Sequence, residues 1–135
     1  MYGLRLKNIS VMDTKYSIHY DEKQKVVIEK YRDKVSLNDV ISSWEKMIKS
    51  DSLPGEARGL VLDCGNAHLD FPASEHQKIV EYYRKNIEFF GKYKIGFVAN
   101  TPHNIVIVML VAQADSRYYL RPFTSLKAAL EWAGC

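Results

Sequence analysis

Two kinds of hydrophobic pattern alternate along this chain of 135 residues, and the alternation limits its possible folds more than any other feature. Within residues 36–48, apolar side chains recur at the 3.6-residue spacing of an amphipathic helix. The members of this stripe are Leu37, Val40, Ile41, Trp44, Met47 and Ile48. After a loop at Pro54-Gly55, residues 59–64 form a nearly continuous apolar run, typical of a strand covered on both faces. Strands that alternate with helices predict a mainly parallel sheet with helical cover.

The sheet is predicted to begin with a hairpin. Residues 16–22 alternate polar and apolar side chains, and residues 25–32 are rich in strand-forming types. Only Lys23 and Gln24 separate the two segments, so we predict an antiparallel pair, although the turn lacks an Asn-Gly or Asp-Gly dipeptide. The first strand is therefore expected at an edge of the sheet.

Capping residues set the expected ends of the first two helices. Ser36 is the predicted N-cap of the first helix, and the charge of Asp39 favours that helix end. After a predicted loop over 65–72, a second amphipathic helix is expected at about 73–90. Gly91 would end this helix, as glycine commonly does.

The segment 105–112 fits either a strand or a helix. Its β-branched residues favour a strand. Thr101 followed by Pro102, however, is an N-cap followed by the residue preferred at the first helical position. A further strand here would break the alternation, and we therefore predict a helix over 102–114.

The predicted order ends with two more strands, at about 93–99 and 118–123, and a last helix. Thr124 or Ser125 is the predicted cap of this helix. That order is β-β-α-β-α-β-α-β-α, with five strands and about four helices. The length predicts one domain over 1–135, in which 1–14 form an amino-terminal extension.

The element order and four local phrases, spread over 15–133, resemble the SpoIIAA-like (STAS/CRAL-TRIO-type) superfamily. The phrases are Val35-Ser-Leu-Asn-Asp-Val before a Trp-containing helix, Leu60-Val-Leu-Asp in the third strand, Phe97-Val-Ala-Asn-Thr-Pro before the third helix, and Arg121-Pro-Phe-Thr-Ser-Leu-Lys-Ala-Ala-Leu-Glu-Trp near the end. The resemblance implies a single α/β domain with a mixed, mainly parallel five-stranded sheet. It also implies a regulatory or interaction role, or binding of an apolar, lipid-like ligand.

One functional motif of this superfamily is missing. Its anti-sigma-factor antagonists carry a phosphorylatable serine in an Asp-Ser-Ser-Gly-like motif after the third strand, whereas here residues 66–75 contain no such motif. Ser74 is the one hydroxyl near that place. It is a weak candidate phosphorylation site, and a helix cap is the ordinary alternative.

Charge and composition narrow the classes of partner. The net charge is +3, from 19 basic and 16 acidic residues, and the lysines are interleaved with acids. This argues against a nucleic-acid surface, which needs a concentrated basic patch. No apolar run approaches the roughly 20 residues of a membrane span, and the start lacks the pattern of a signal peptide. Cys64 and Cys135 have no metal or disulfide spacing, and two thiols suit a cytoplasmic protein.

Polar residues follow the predicted third and fourth strands, where ligands bind in open α/β sheets. The two loops supply Asp63, Asn66, His68 and Asp70, and Asn100, Thr101, His103 and Asn104. An enzyme would use a histidine as general base beside an aspartate, and a metal site would pair the histidines with Asp70. Turn and capping chemistry explains the same residues, and the chain contains no catalytic, metal or cofactor motif. We therefore expect a ligand or partner loop without catalysis, cofactor or metal.

The helix predicted over 102–114 is apolar on every side. A helix on one face of a small sheet should have an exposed side, so an all-apolar helix needs further cover. That cover is either the neighbouring elements or an interface, for which the candidates are Ile105, Val108, Met109 and Ala112. We favour a non-enzymatic module that forms a homo-oligomer or binds a protein. The alternative is an apolar-ligand binder in which Asn100, Thr101 or His103 fixes the polar end.

Overall fold

This computed structural model describes residues 11–12, 15–50 and 53–135. In chain order the strands and helices are β1 (Val11–Met12), β2 (Tyr16–Asp21), β3 (Val26–Val35), α1 (Leu37–Ser50), β4 (Gly59–Leu69), a 3-10 turn (Ala73–Glu75), α2 (His76–Lys85), α3 (Ile87–Phe90), β5 (Lys94–Val98), α4 (Pro102–Gln113), β6 (Tyr119–Phe123) and α5 (Leu126–Ala133). Within the described residues, no helix is long and apolar enough to cross a membrane.

The strands lie side by side in chain order, from β1 to β6. β1, β2 and β3 pair antiparallel, and β3 to β6 pair parallel. The predicted mixed, mainly parallel sheet with its hairpin at β2–β3 is thus confirmed. The two-residue β1 adds an edge strand from within the predicted extension 1–14, of which 1–10 and 13–14 lie outside the described residues.

The β2–β3 turn has four residues and needs no Asn-Gly pair. Its last residue, Lys25, adopts the left-handed conformation with φ 64°, which glycine or asparagine usually occupies. The backbone N–H of Lys25 donates to the carbonyl of Asp21 at 2.8 Å, and the N–H of Gln24 donates to the Asp21 carboxylate at 2.9 Å. These two bonds fix the turn.

Two apolar layers flank the sheet. On one face, α1, α2 and α4 cover a large core in which the rings of Trp44, Tyr83 and Phe90 meet; the centroids of Trp44 and Phe90 are 4.9 Å apart. On the other face, α5 packs Ala129 and Ala133 over β3, β4 and β5. Apart from the short α3, each helix begins after a parallel strand has ended, so these helix starts gather at one edge of the sheet.

The predicted caps are present. The Ser36 hydroxyl accepts from the Asp39 N–H at 3.0 Å, and the Asp39 carboxylate accepts from the Ser36 N–H at 2.9 Å, a reciprocal capping box at α1. Thr101 caps α4, which confirms that the segment 105–112 is helical. Ser125, rather than Thr124, caps α5.

Two boundaries differ from the sequence prediction. The helix expected at 73–90 is divided into a 3-10 turn, α2 and α3, with a break at Asn86, whose side-chain amide donates to the Tyr82 carbonyl at 3.0 Å. The loop expected at 65–72 is wrong over 65–69, because β4 continues to pair with the long β3 as far as Leu69. Asn66 and His68 therefore lie on a strand.

Candidate functional site

Asn104 ties the start of α4 to the end of β4. Its side chain is fully buried; the amide Nδ2 donates to the Ala67 carbonyl at 2.9 Å, and Oδ1 accepts from the Leu69 N–H at 3.1 Å. The amide thus pairs with the β4 backbone much as a neighbouring strand would. Asn104 positions the site and is not available to a ligand.

The predicted histidines do come together. The rings of His68 and His103 stack with centroids 5.0 Å apart and planes 25° from parallel. His103 Nε2 lies 2.8 Å from the Leu69 carbonyl oxygen, which leaves its other nitrogen for a further contact. His68 is exposed and lies opposite Lys34 on β3. Together they form an imidazole pair at the carboxyl ends of the parallel strands.

The predicted carboxylates do not join this pair. Asp63 Oδ1 accepts from the Gly65 N–H at 3.0 Å, and Asp70 is exposed. Among the described residues, neither aspartate hydrogen-bonds to His68 or His103, and no group of three metal-ligating side chains exists. The arrangement expected of a general base oriented by aspartate is therefore not formed here.

Asn100 bonds to other partners, whereas Asn66 lies near His68. In one orientation of its amide, Asn100 Nδ2 donates to the Gly65 carbonyl at 3.4 Å, and in the other it donates to the Thr124 carbonyl at 2.7 Å. Asn66 is exposed on β4 and, with His68, lines an open groove of about 680 Å³. Among the described residues, hydrogen bonds thus do not join the eight predicted loop residues into a single polar site.

Ser74 lies exposed within the 3-10 turn. It caps neither that turn nor α2, whose preceding residues are Pro72 and Glu75, so the capping role expected as its alternative is wrong. Phosphorylation at Ser74 stays a prediction.

The inner face of α4 is formed by Asn104, Ile107, Val108 and Val111, all buried against β4, β6 and α2. Val108 is 0% exposed, so its predicted place at an interface is wrong. Of the other candidates, Ile105 and Ala112 are half-buried, and Met109 is 43% exposed.

The outer face of α4 contains three large apolar side chains. Val106 is 47% exposed, Met109 43% and Leu110 36%, and all three fall within one helical turn. α4 contains no Asp, Glu, Lys or Arg from Pro102 to Gln113. Sequence reasoning missed Val106 and Leu110, because a helix that is apolar all round offers no polar face from which to set its phase.

Sequence reasoning also missed a buried carboxyl at Glu29. This side chain is 1% exposed and lies beneath α1, beside Tyr31 and Ser43. The available signal was its position in β3: Glu29 is two residues from both Val27 and Tyr31, so the three side chains point to the same, inward face of the strand.

A recess of about 460 Å³ lies where α4 and α5 begin. Ile105, Pro122 and Phe123 contribute apolar surface to it, and Arg121 lies at its lining. The Thr101 hydroxyl is already bonded to the Asn104 N–H at 3.3 Å. Arg121 and Thr124 are the polar residues that line the recess.

A structure search supports the architecture. The chain matches, with probability 1.00 and a TM-score of 0.58, the crystal structure of an uncharacterized protein of the DUF3478 family with a SpoIIAA-like fold from Shewanella loihica PV-4. The match covers 94% of this chain and 97% of that one, at 11% identity. The chain has a SpoIIAA-like fold. No protein-family model and no curated protein matches the sequence.

At 11% identity, the likeness establishes the SpoIIAA-like fold alone. The fold explains why the ends of β4 and β5 and the start of α4 lie together. It does not assign a chemistry to them, because one fold hosts many functions.

Proposed function

We propose that this SpoIIAA-like domain is a non-enzymatic interaction module that self-associates through the outer face of α4. One observation carries the proposal. Of the four large apolar side chains exposed among the described residues, Val106, Met109 and Leu110 lie together on α4. Contiguous apolar surface of this kind marks protein interfaces.

A second copy of the chain is the occupant that the face fits best. A two-fold dimer brings the same patch of both copies together, so the patch must be compatible with itself. α4 meets this condition, because it carries no charge that would face a like charge across the axis. Two such helices would bury Val106, Met109 and Leu110 against their own counterparts.

The non-enzymatic part of the proposal is supported by the separation of the polar groups. His103 is bonded to a backbone carbonyl, and Asp63 to the N–H of Gly65. Each group therefore serves the local backbone. We also place the protein in the cytoplasm, because Cys64 and Cys135 are both free thiols.

Sedimentation analysis of single charge variants tests this proposal. We expect Met109→Glu and Val106→Glu each to weaken the dimer at least tenfold, because one buried unpaired charge costs well over 1.4 kcal/mol. Both variants should keep the wild-type circular dichroism, since both side chains are exposed. The matched control is Tyr119→Glu, which places the same charge at another exposed apolar position, outside α4.

The control should leave the dimer intact. A wild-type chain that sediments as a monomer at high micromolar concentration would contradict the proposal. So would a dimer that Tyr119→Glu disrupts as strongly as Met109→Glu does.

The recess beside Ile105 and Phe123 favours a second candidate, the binding of a small apolar molecule with an anionic end. Its volume of about 460 Å³ is within the range of ligand sites, and Arg121 would pair with the anion. A native mass spectrum should then show a mass increment that Ala128→Leu removes, because Ala128 lines the recess. The exposed Lys127→Leu is the control, and an increment that survives Ala128→Leu would exclude this site.

A further inference from the structure

A carboxyl group is enclosed between the sheet and α1. Glu29 lies in the middle of β3, between Ile18 of β2 and Leu62 of β4, and is 1% exposed. Its Oε1 accepts from the Tyr31 hydroxyl at 3.4 Å, and Tyr31 is in turn hydrogen-bonded to the Ser43 hydroxyl of α1. Its Oε2 has no hydrogen-bond partner among the described residues. Among the described groups, the Tyr31 hydroxyl thus bonds to this carboxyl, and the Ser43 hydroxyl links Tyr31 to α1.

Among the described residues, the other ionisable groups that act on Glu29 or respond to it offer no positive charge. They are Tyr31 of β3, Cys64 of β4, and Tyr82 and Tyr83 of α2, while β2 contributes the uncharged Ile18. Burial raises the pKa of the Tyr31 and Tyr83 hydroxyls and of the Cys64 thiol above their ordinary values, and the Glu29 charge raises each further. All of them therefore stay neutral at pH 7.

We infer that Glu29 is a proton-dependent latch for α1, which packs on the sheet while the carboxyl is neutral and loosens when it ionises. The geometry supports this because the carboxyl lies directly beneath Ser43, on the inner face of α1. An ionised carboxylate there would need water, and movement of α1 away from the sheet would admit water to Oε2. α5, on the opposite face of the sheet, does not cover Glu29.

The pH range follows from the titration of the group. Burial raises the pKa of Glu29 from its ordinary 4.5 to about 8. Once α1 opens, water reaches the carboxyl and its pKa returns towards 4.5. The ratio of open to closed α1 therefore rises about tenfold per pH unit between these two values and is constant outside them.

Amide hydrogen exchange measured from pH 5 to 9 tests the latch. After correction for the intrinsic exchange rate, the protection factors of α1 amides should fall about 100-fold between pH 5.5 and 7.5. The amides of α5 should stay more strongly protected than those of α1 at every pH, because opening of α1 alone does not expose them. Glu29→Gln should remove the pH dependence in α1, and Glu45→Gln, which neutralises a half-buried acid on α1 itself, should leave it unchanged.

Wild-type data alone can overturn the inference. Protection factors of α1 that do not vary with pH would exclude it, as would α1 protection factors equal to those of α5 at every pH, which would report unfolding of the whole domain. The same pH dependence in Glu29→Gln would show that another group titrates. Where Glu29→Gln does not fold, Glu29→Met supplies a neutral side chain of similar length.

Discussion

Asn104 offers the sharpest test of how the site is held together. Asn104→Ala removes both hydrogen bonds between α4 and the end of β4. The Leu69 N–H and the Ala67 carbonyl then stay buried without partners, since both residues are buried in the core. Each such group costs about 2 kcal/mol, and the higher helix propensity of alanine returns about 0.6 kcal/mol. The net loss in the free energy of unfolding should be about 3 kcal/mol.

Equilibrium unfolding in urea measures this loss. For a domain of this size, about 3 kcal/mol corresponds to a midpoint lower by roughly 1 to 3 M. The matched control is Asn66→Ala, which removes an exposed amide from β4 itself and should change stability by less than about 0.5 kcal/mol. A loss below about 1 kcal/mol in Asn104→Ala, or an equal loss in both variants, would refute the role assigned to Asn104.

Three further predictions concern stability. The neutral Glu29 carboxyl stabilises the fold fully below pH 4.5, and this contribution is lost as the pH rises through about 8. The melting temperature measured by calorimetry should therefore fall from pH 5.5 to 8.5, and Glu29→Gln should flatten this pH profile. Gly59→Ala should lower the free energy of unfolding in urea by about 1–3 kcal/mol, because the added Cβ would overlap the backbone carbonyl of Ala133. The control is Gly55→Ala, whose Cβ would meet no atom within 4 Å and which should cost far less. Ser36→Ala should cost about 1 kcal/mol by the same assay, because it removes the α1 cap, and no change would show that the cap contributes nothing.

Local signals in the sequence were enough to predict most of the elements. The hydrophobic periodicity of α1 and the capping pair Thr101-Pro102 lie within a few residues of the structure they specify. The extension of β4 to Leu69 could not be found in this way. It depends on pairing with β3, which is 34 residues earlier at Val35, and Gly65-Asn66 has the composition of a turn.

The sequence predicts the candidate site only in part: it indicates the histidine pair but not the orientation of α4. The stacking of His68 and His103 follows from their positions: His68 lies near the carboxyl end of β4, and His103 lies in the first turn of α4, which follows the neighbouring β5. Which side of α4 faces the sheet could not be read from periodicity, because a helix that is apolar all round has no polar face. Val108 was consequently assigned to the surface and Val106 was not.

A native mass spectrum of freshly purified protein shows whether α4 is a self-association surface. Self-association through α4 should give a species of twice 15.6 kDa with no additional mass, which Met109→Glu converts to the single-chain mass. A bare single-chain mass for the wild type at concentrations well above micromolar would contradict it.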